Sequence, residues 1–88
     1  MYIWKYTISK ITDEFTIEMP RNSRVLCIQV QRGVPCIWVK TDGDKENMEK
    51  RTFVIIGTGN PFDAEGLIYV GTWQEDYGYL VWHLFYRW

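Results

Sequence analysis

Ala64 is the only alanine in the chain, whereas there are nine isoleucines, seven valines and seven threonines, together with five Trp, six Tyr and four Phe. Alanine is the strongest helix former, while β-branched and aromatic side chains lose rotamer freedom on a helix and fit the pleated surface of a sheet. The composition therefore predicts strands. It also excludes a disordered tail, because this much apolar surface offsets the entropy of ordering. The 88 residues leave room for one core, so one β domain spanning residues 1–88 is expected. A domain this small buries only about 60–65% of its unfolded surface, which favours self-association, and a homo-oligomer is expected.

The period-two patterning marks the strands. Tyr2, Trp4, Tyr6 and Ile8 alternate with Ile3, Lys5, Thr7 and Ser9, and Phe15, Ile17 and Met19 alternate with Thr16 and Glu18. After the turn chemistry of Pro20 to Ser23, a hairpin turning at Arg32-Gly33 sets Val30 opposite Pro35, Ile28 opposite Ile37 and Leu26 opposite Val39. Gln29 then faces Cys36 and Cys27 faces Trp38, leaving the two cysteines on a diagonal of about 7–8 Å, too long for a disulfide. A one-residue bulge would loosen that register. Residues 41–50 read as a polar loop with one helical turn at 45–49, and Arg51 to Ile56, apolar on both faces, reads as a central strand. Strands from Leu67 to Trp73 and from Tyr79 to Tyr86 form a last hairpin, with Trp73 opposite Tyr79, Tyr69 opposite His83 and Leu67 opposite Phe85. The fold class is thus an all-β, antiparallel sandwich or small open barrel of about seven short strands.

Several chemistries are excluded. A formal charge of −1, with basic residues scattered in no run longer than Lys50-Arg51, supplies no net field for phosphate backbones, so nucleic acid is not expected as the main partner. A small patch of Lys10, Arg21 and Arg24 is the one basic grouping, readable as a solvated edge. The N-terminal segment lacks an apolar signal region, and no stretch approaches the roughly 18 apolar residues of a membrane helix. A protein of the cytoplasm, with no membrane partner, is expected. Two cysteines and one histidine make no metal site, and Asp42-Gly-Asp44 begins like a calcium loop but lacks the later acidic ligand. No cofactor motif or nucleophile elbow is present, so an enzyme is not expected.

The candidate ligand or interface residues are the aromatic set Tyr69, Trp73, Tyr77, Tyr79 and Phe85, the single histidine His83, and the turn residues Gly57, Gly59 and Asn60. The rings fall on one face or its rim in the register above and can be core, dimer interface or a stacking platform for a planar ligand. As a general base, His83 would need a nucleophile or an orienting carboxylate nearby, with Cys27 or Cys36 a source of the thiol across the sheet, and the plainer reading is a histidine wedged among aromatics. Val54-Ile-Ile-Gly-Thr58 and Ile68-Tyr-Val-Gly-Thr72 share a strand-then-Gly-Thr pattern, read as two strands that each need glycine at a bend or bulge. Aromatics reaching Trp88 imply a docked strand end.

The segments Ile3 to Tyr6, Thr12 to Pro20, Val25 to Gln31, Pro35 to Trp38, Gly57 to Gly59 and Leu80 to Phe85 together resemble a family of small uncharacterised proteins of tailed bacteriophages and prophages. The resemblance implies a phage protein in the host cytoplasm, and a histidine after Gly-Thr-Gly where this chain has Asn60. It implies no catalytic activity. The resulting expectation is a non-enzymatic binding protein that antagonises a host defence or process. It would occlude a host protein or sequester a nucleotide-derived small molecule at an oligomer interface. The alternatives are a structural or accessory virion component and a thiol- or His-dependent enzyme.

Overall fold

In a computed structural model of residues 1–88, the alternating segments form seven strands. They are β1 Tyr2–Thr7, β2 Glu14–Pro20, β3 Ser23–Gln31, β4 Val34–Thr41, β5 Met48–Gly57, β6 Leu67–Glu75 and β7 Leu80–Arg87. All pairings are antiparallel, with β1-β4-β3 in one sheet and β2-β5-β7-β6 in the other. The sheets pack face to face without closing into a barrel, which decides the sandwich over the barrel. Ile37 and Val39 of β4 meet Phe53 and Ile55 of β5, Leu84 of β7 and Trp73 of β6 in one core. Phe15 stacks on Phe53 at 5.5 Å between ring centroids. Each such side chain contributes roughly 1.5–3 kcal/mol when fully buried.

The β3–β4 hairpin keeps the register read from the sequence as far as Cys27 opposite Trp38, turning through Arg32 (φ 50°) and Gly33 (φ 80°). Beyond that point a bulge places Val25, and not Leu26, opposite Val39. The extra residue lets Val25 pack on the core while Leu26 is left exposed. The diagonal placement of the cysteines survives, and both thiols are free. The expected helical turn at 45–49 is absent because β5 already begins at Met48. The carboxylates of Asp42 and Asp44 accept backbone N–H bonds from Asp44 and Glu46, each at 3.0 Å, which closes the loop without a helix.

Where the chain passes from β2 to β3, and so from one sheet to the other, the Arg51 guanidinium donates to the carbonyl oxygens of Arg21 (3.1 Å) and Ser23 (3.0 Å). Arg21 itself donates to Asn47 at 3.1 Å. Of the residues expected in a basic patch, Arg24 lies on β3 in register with Lys40.

The last hairpin corrects the sequence reading. Asp76, Tyr77 and Gly78 take φ of 53°, 55° and 88°, a tight left-handed reversal that lets β6 run on to Glu75, opposite Leu80. Trp73 consequently pairs with Trp82 instead of Tyr79, and Thr72 pairs with His83. An odd shift in register exchanges the two faces of a strand, and Trp73 turns into the core with 4% of its surface exposed. A bulge between Tyr69 and Gly71 then brings Tyr69 opposite Phe85. Trp88 donates its backbone N–H to Gly66, but its ring is 84% exposed, so the expected docking holds for the backbone alone.

Gly71 of β6 lies close against β3 of the other sheet, since a Cβ there would lie 2.7 Å from Cγ2 of Ile28. Gly71→Ala should therefore destabilise the fold by about 1–3 kcal/mol through overpacking, read as a lower denaturation midpoint in urea. In the 42–46 loop, the backbone N–H of Asp44 and then the Asn22 amide hold the Asp42 carboxyl below the ordinary aspartate range. Because the folded-state pKa is depressed, this contribution is present above the unfolded aspartate pKa and disappears as pH falls through the lower folded value. The Asp44 amide resonance should follow that low midpoint in an acid titration.

Candidate binding face around His83

The corrected register places one polar line along the outer face of the four-stranded sheet. Ile56 of β5, His83 of β7 and Thr72 of β6 are cross-strand neighbours, with Val54, Phe85 and Tyr69 in the adjoining row. The His83 ring is held at both nitrogens: Nε2 lies 2.6 Å from Thr58 Oγ1 and Nδ1 2.8 Å from Thr72 Oγ1. Thr72 Oγ1 is in turn hydrogen-bonded to the Tyr69 hydroxyl. The Thr58 hydroxyl also reaches the carbonyl oxygen of Val81 at 3.4 Å.

A phenol is a stronger acid than an aliphatic alcohol and so the better donor. With Tyr69 donating to Thr72, the Thr72 hydroxyl donates to Nδ1, and the ring hydrogen sits on Nε2, directed at Thr58. The Thr58 hydroxyl then donates to Val81. Every polar hydrogen in the chain has an acceptor, and a fully satisfied network of this kind fixes side-chain rotamers.

Aromatic rings flank this line. Phe85 lies between Tyr69 (centroids 5.5 Å apart, edge-on at 63°) and Phe62 (5.3 Å). Beside Phe62, Phe85 and His83, the Gly57-to-Asn60 turn borders a shallow cavity of about 270 Å³. The turn needs its glycines. A Cβ on Gly57 would lie 3.0 Å from the Asn60 amide nitrogen and 3.2 Å from the Trp82 ring, and Gly59 has φ 89°. On the far side of the same turn a larger concavity of about 560 Å³ runs from Ile11 and Asp13 to Trp82, sharing Ile56, Gly57 and Asn60.

Of the residues singled out in the sequence, Tyr69, His83, Phe85, Gly57, Gly59 and Asn60 gather here. Trp73 does not, being a core residue on the opposite face, where its indole N–H reaches Glu75 at 3.4 Å. Tyr77 and Tyr79 sit in the β6–β7 turn, 101% and 83% exposed, and take no part in this hydrogen-bond line. The residues that sequence reasoning missed are Thr58, Thr72 and Phe62. The signal for the first two was present: the repeated Gly-Thr of Gly57-Thr58 and Gly71-Thr72 supplies the two hydroxyls that clasp the single histidine.

Fold and face together define a small two-sheet β domain with a preorganised aromatic and hydrogen-bonding surface. The chain belongs to the family described as Domain of unknown function (DUF7352), whose model matches residues 1–88. No curated protein and no solved structure matches it.

The hydrogen-bond chain makes a specific prediction. Two-bond proton–nitrogen spectra should show His83 with its hydrogen on Nε2. Thr58→Val should remove the acceptor and shift the ring toward the Nδ1–H form, at a stability cost of about 0.5–1.5 kcal/mol at most. An unchanged tautomer in that variant would rule out the assigned direction of the chain.

Proposed function

We propose that the protein is a non-enzymatic binding module, and that the outer face of β5, β7 and β6 around His83 is its protein-binding surface. The observation that carries this reading is the set Phe62, Phe85 and Tyr69, two exposed rings packed on the partly buried Phe85 beside a hydrogen-bond line already satisfied within the protein. Rings held in place lose little entropy on binding, and exposed aromatic clusters are where binding energy concentrates at interfaces.

Between the two occupants expected from the sequence, the lining of the cavity favours a protein over a phosphate-bearing small molecule. None of the residues around it is lysine or arginine. The cation nearest in register, Arg87 beside Phe85, is paired with Glu14 at 2.8 Å. A nucleotide would bring phosphate charge with no partner to receive it, whereas an apolar side chain of a protein can seat in the cavity that Phe62 and Phe85 border with the Gly57-to-Asn60 turn. The resemblance to small proteins of tailed bacteriophages supports a setting in which such a module occludes a host protein, and so antagonises a host defence or process, within the host cytoplasm.

A photo-cross-linking residue substituted at Tyr69 should yield one discrete host-protein adduct in lysate, competed away by unmodified protein and weakened by Phe62→Ala or Phe85→Ala. The same probe at Glu18, on the opposite edge of the sheet, should yield none. Equal adducts at both positions would remove the face from consideration. A thermal upshift with nucleotides in place of an adduct would favour sequestration.

A further inference from the structure

The formal charge of −1 conceals a segregation. The strands β1, β3 and β4 carry Lys5, Arg24 and Lys40 and no carboxylate; all eleven acidic residues lie outside that sheet. Because Ile37 and Val39 face the core, Trp38 and Lys40 face outward, and the register places the cations around the indole. Ile3, Lys40 and Arg24 form one row; Lys5, Trp38 and Cys27 form the next; Thr7, Cys36 and Gln29 form the third. Lys5, Arg24, Lys40, Gln29 and Gln31 are exposed and Trp38 is half-buried. Lys5 Nζ lies 5.9 Å from the centre of the Trp38 ring and donates to Gln31 Oε1 at 2.7 Å.

We propose that this outward face of the three-stranded sheet binds single-stranded nucleic acid. Lys5, Arg24 and Lys40 neutralise phosphates, and Trp38 stacks on a base. A carboxylate-free cationic face complements a polyanion of any kind, but the central indole flanked by the amides of Gln29 and Gln31 selects one that also carries planar rings with hydrogen-bonding edges. An acidic peptide offers charge and no rings. In the free protein the Lys5 ammonium covers the Trp38 ring; when a phosphate arrives, Lys5 exchanges the ring and Gln31 for the phosphate oxygens and uncovers the stacking surface. The face lies on the sheet that does not carry His83, so the proposal stands apart from the protein-binding reading.

The test is fluorescence anisotropy of a labelled oligothymidylate with the full chain across a salt series. Three phosphate contacts predict a logarithmic salt slope of about −2 for a single strand. Lys40→Glu should weaken binding by roughly tenfold or more, because it both removes a contact and adds repulsion. Trp38→Ala should weaken it by at least about fivefold and Trp38→Phe should largely restore it, with circular dichroism confirming that each variant is folded. Phe62→Ala should bind the oligonucleotide as the wild type does. The proposal is overturned if no salt-sensitive binding occurs, or if Lys40→Glu binds equally well. It is likewise overturned if an abasic oligomer, polyglutamate or anionic vesicles match the oligothymidylate, since charge alone would then account for the affinity.

Discussion

Three successive residues in the left-handed region, Asp76, Tyr77 and Gly78, decide what the second half of the chain presents to solvent. Left-handed φ is costly for any residue but glycine, so the two non-glycine residues hold this conformation against their local preference. In exchange β6 extends to Glu75 and the ladder engages with Trp73 on Trp82. Had the connection been longer, the strand faces would have exchanged. Trp73 would have joined Tyr79 outside, and Thr72 would have been turned away from His83. The pairing of Thr72 with His83 and the inward turn of Trp73 follow from that reversal, and the bulge before Gly71 then sets Tyr69 beside Phe85.

The fold was legible because the signals that fix it are local and repeated. Alternation located the strands, and Arg32-Gly33 between two apolar runs located the first hairpin and most of its register. The glycine at Gly71 marked one bulge in advance, and the register shifts between Tyr69 and Gly71. What escaped were the bulge at Leu26 and the reversal at Asp76. A bulge adds one residue to one strand and, without a glycine, leaves no compositional mark, yet it changes every face beyond it. The candidate site was legible in part for the same reason. Tyr69, His83 and Phe85 were nominated by residue type, but their partners Thr58 and Thr72 are ordinary strand residues until a register brings them to the ring. Trp73 was nominated on the same grounds and lies inside, because type alone does not fix a face.

The two sheets divide the chemistry between them. Carboxylates are confined to the four-stranded sheet and the loops, where Glu14 meets Arg87, Glu49 meets Arg51 and Glu75 receives the indole N–H groups of Trp73 and Trp82. The three-stranded sheet is left with positive charge alone. The family is one of unknown function, and the two faces carry the chemistry. Each presents aromatic surface, one beside hydroxyls and a histidine, the other beside ammonium and guanidinium groups.

The order in which the strands enter the sheets also governs how the chain acquires them. Only β3–β4 and β6–β7 pair across short connections; β1 must wait for β4, β2 for β5, and β5 for β7. Neither sheet is whole until distant segments meet, and closing long loops before their contacts form slows folding. The strands whose partners lie farthest along the chain, β1, β2 and β5, are also strands that carry charge, with Lys5 on β1, Glu14 and Glu18 on β2, and Glu49, Lys50 and Arg51 on β5. Charge along a strand disfavours its pairing with a strand of another molecule.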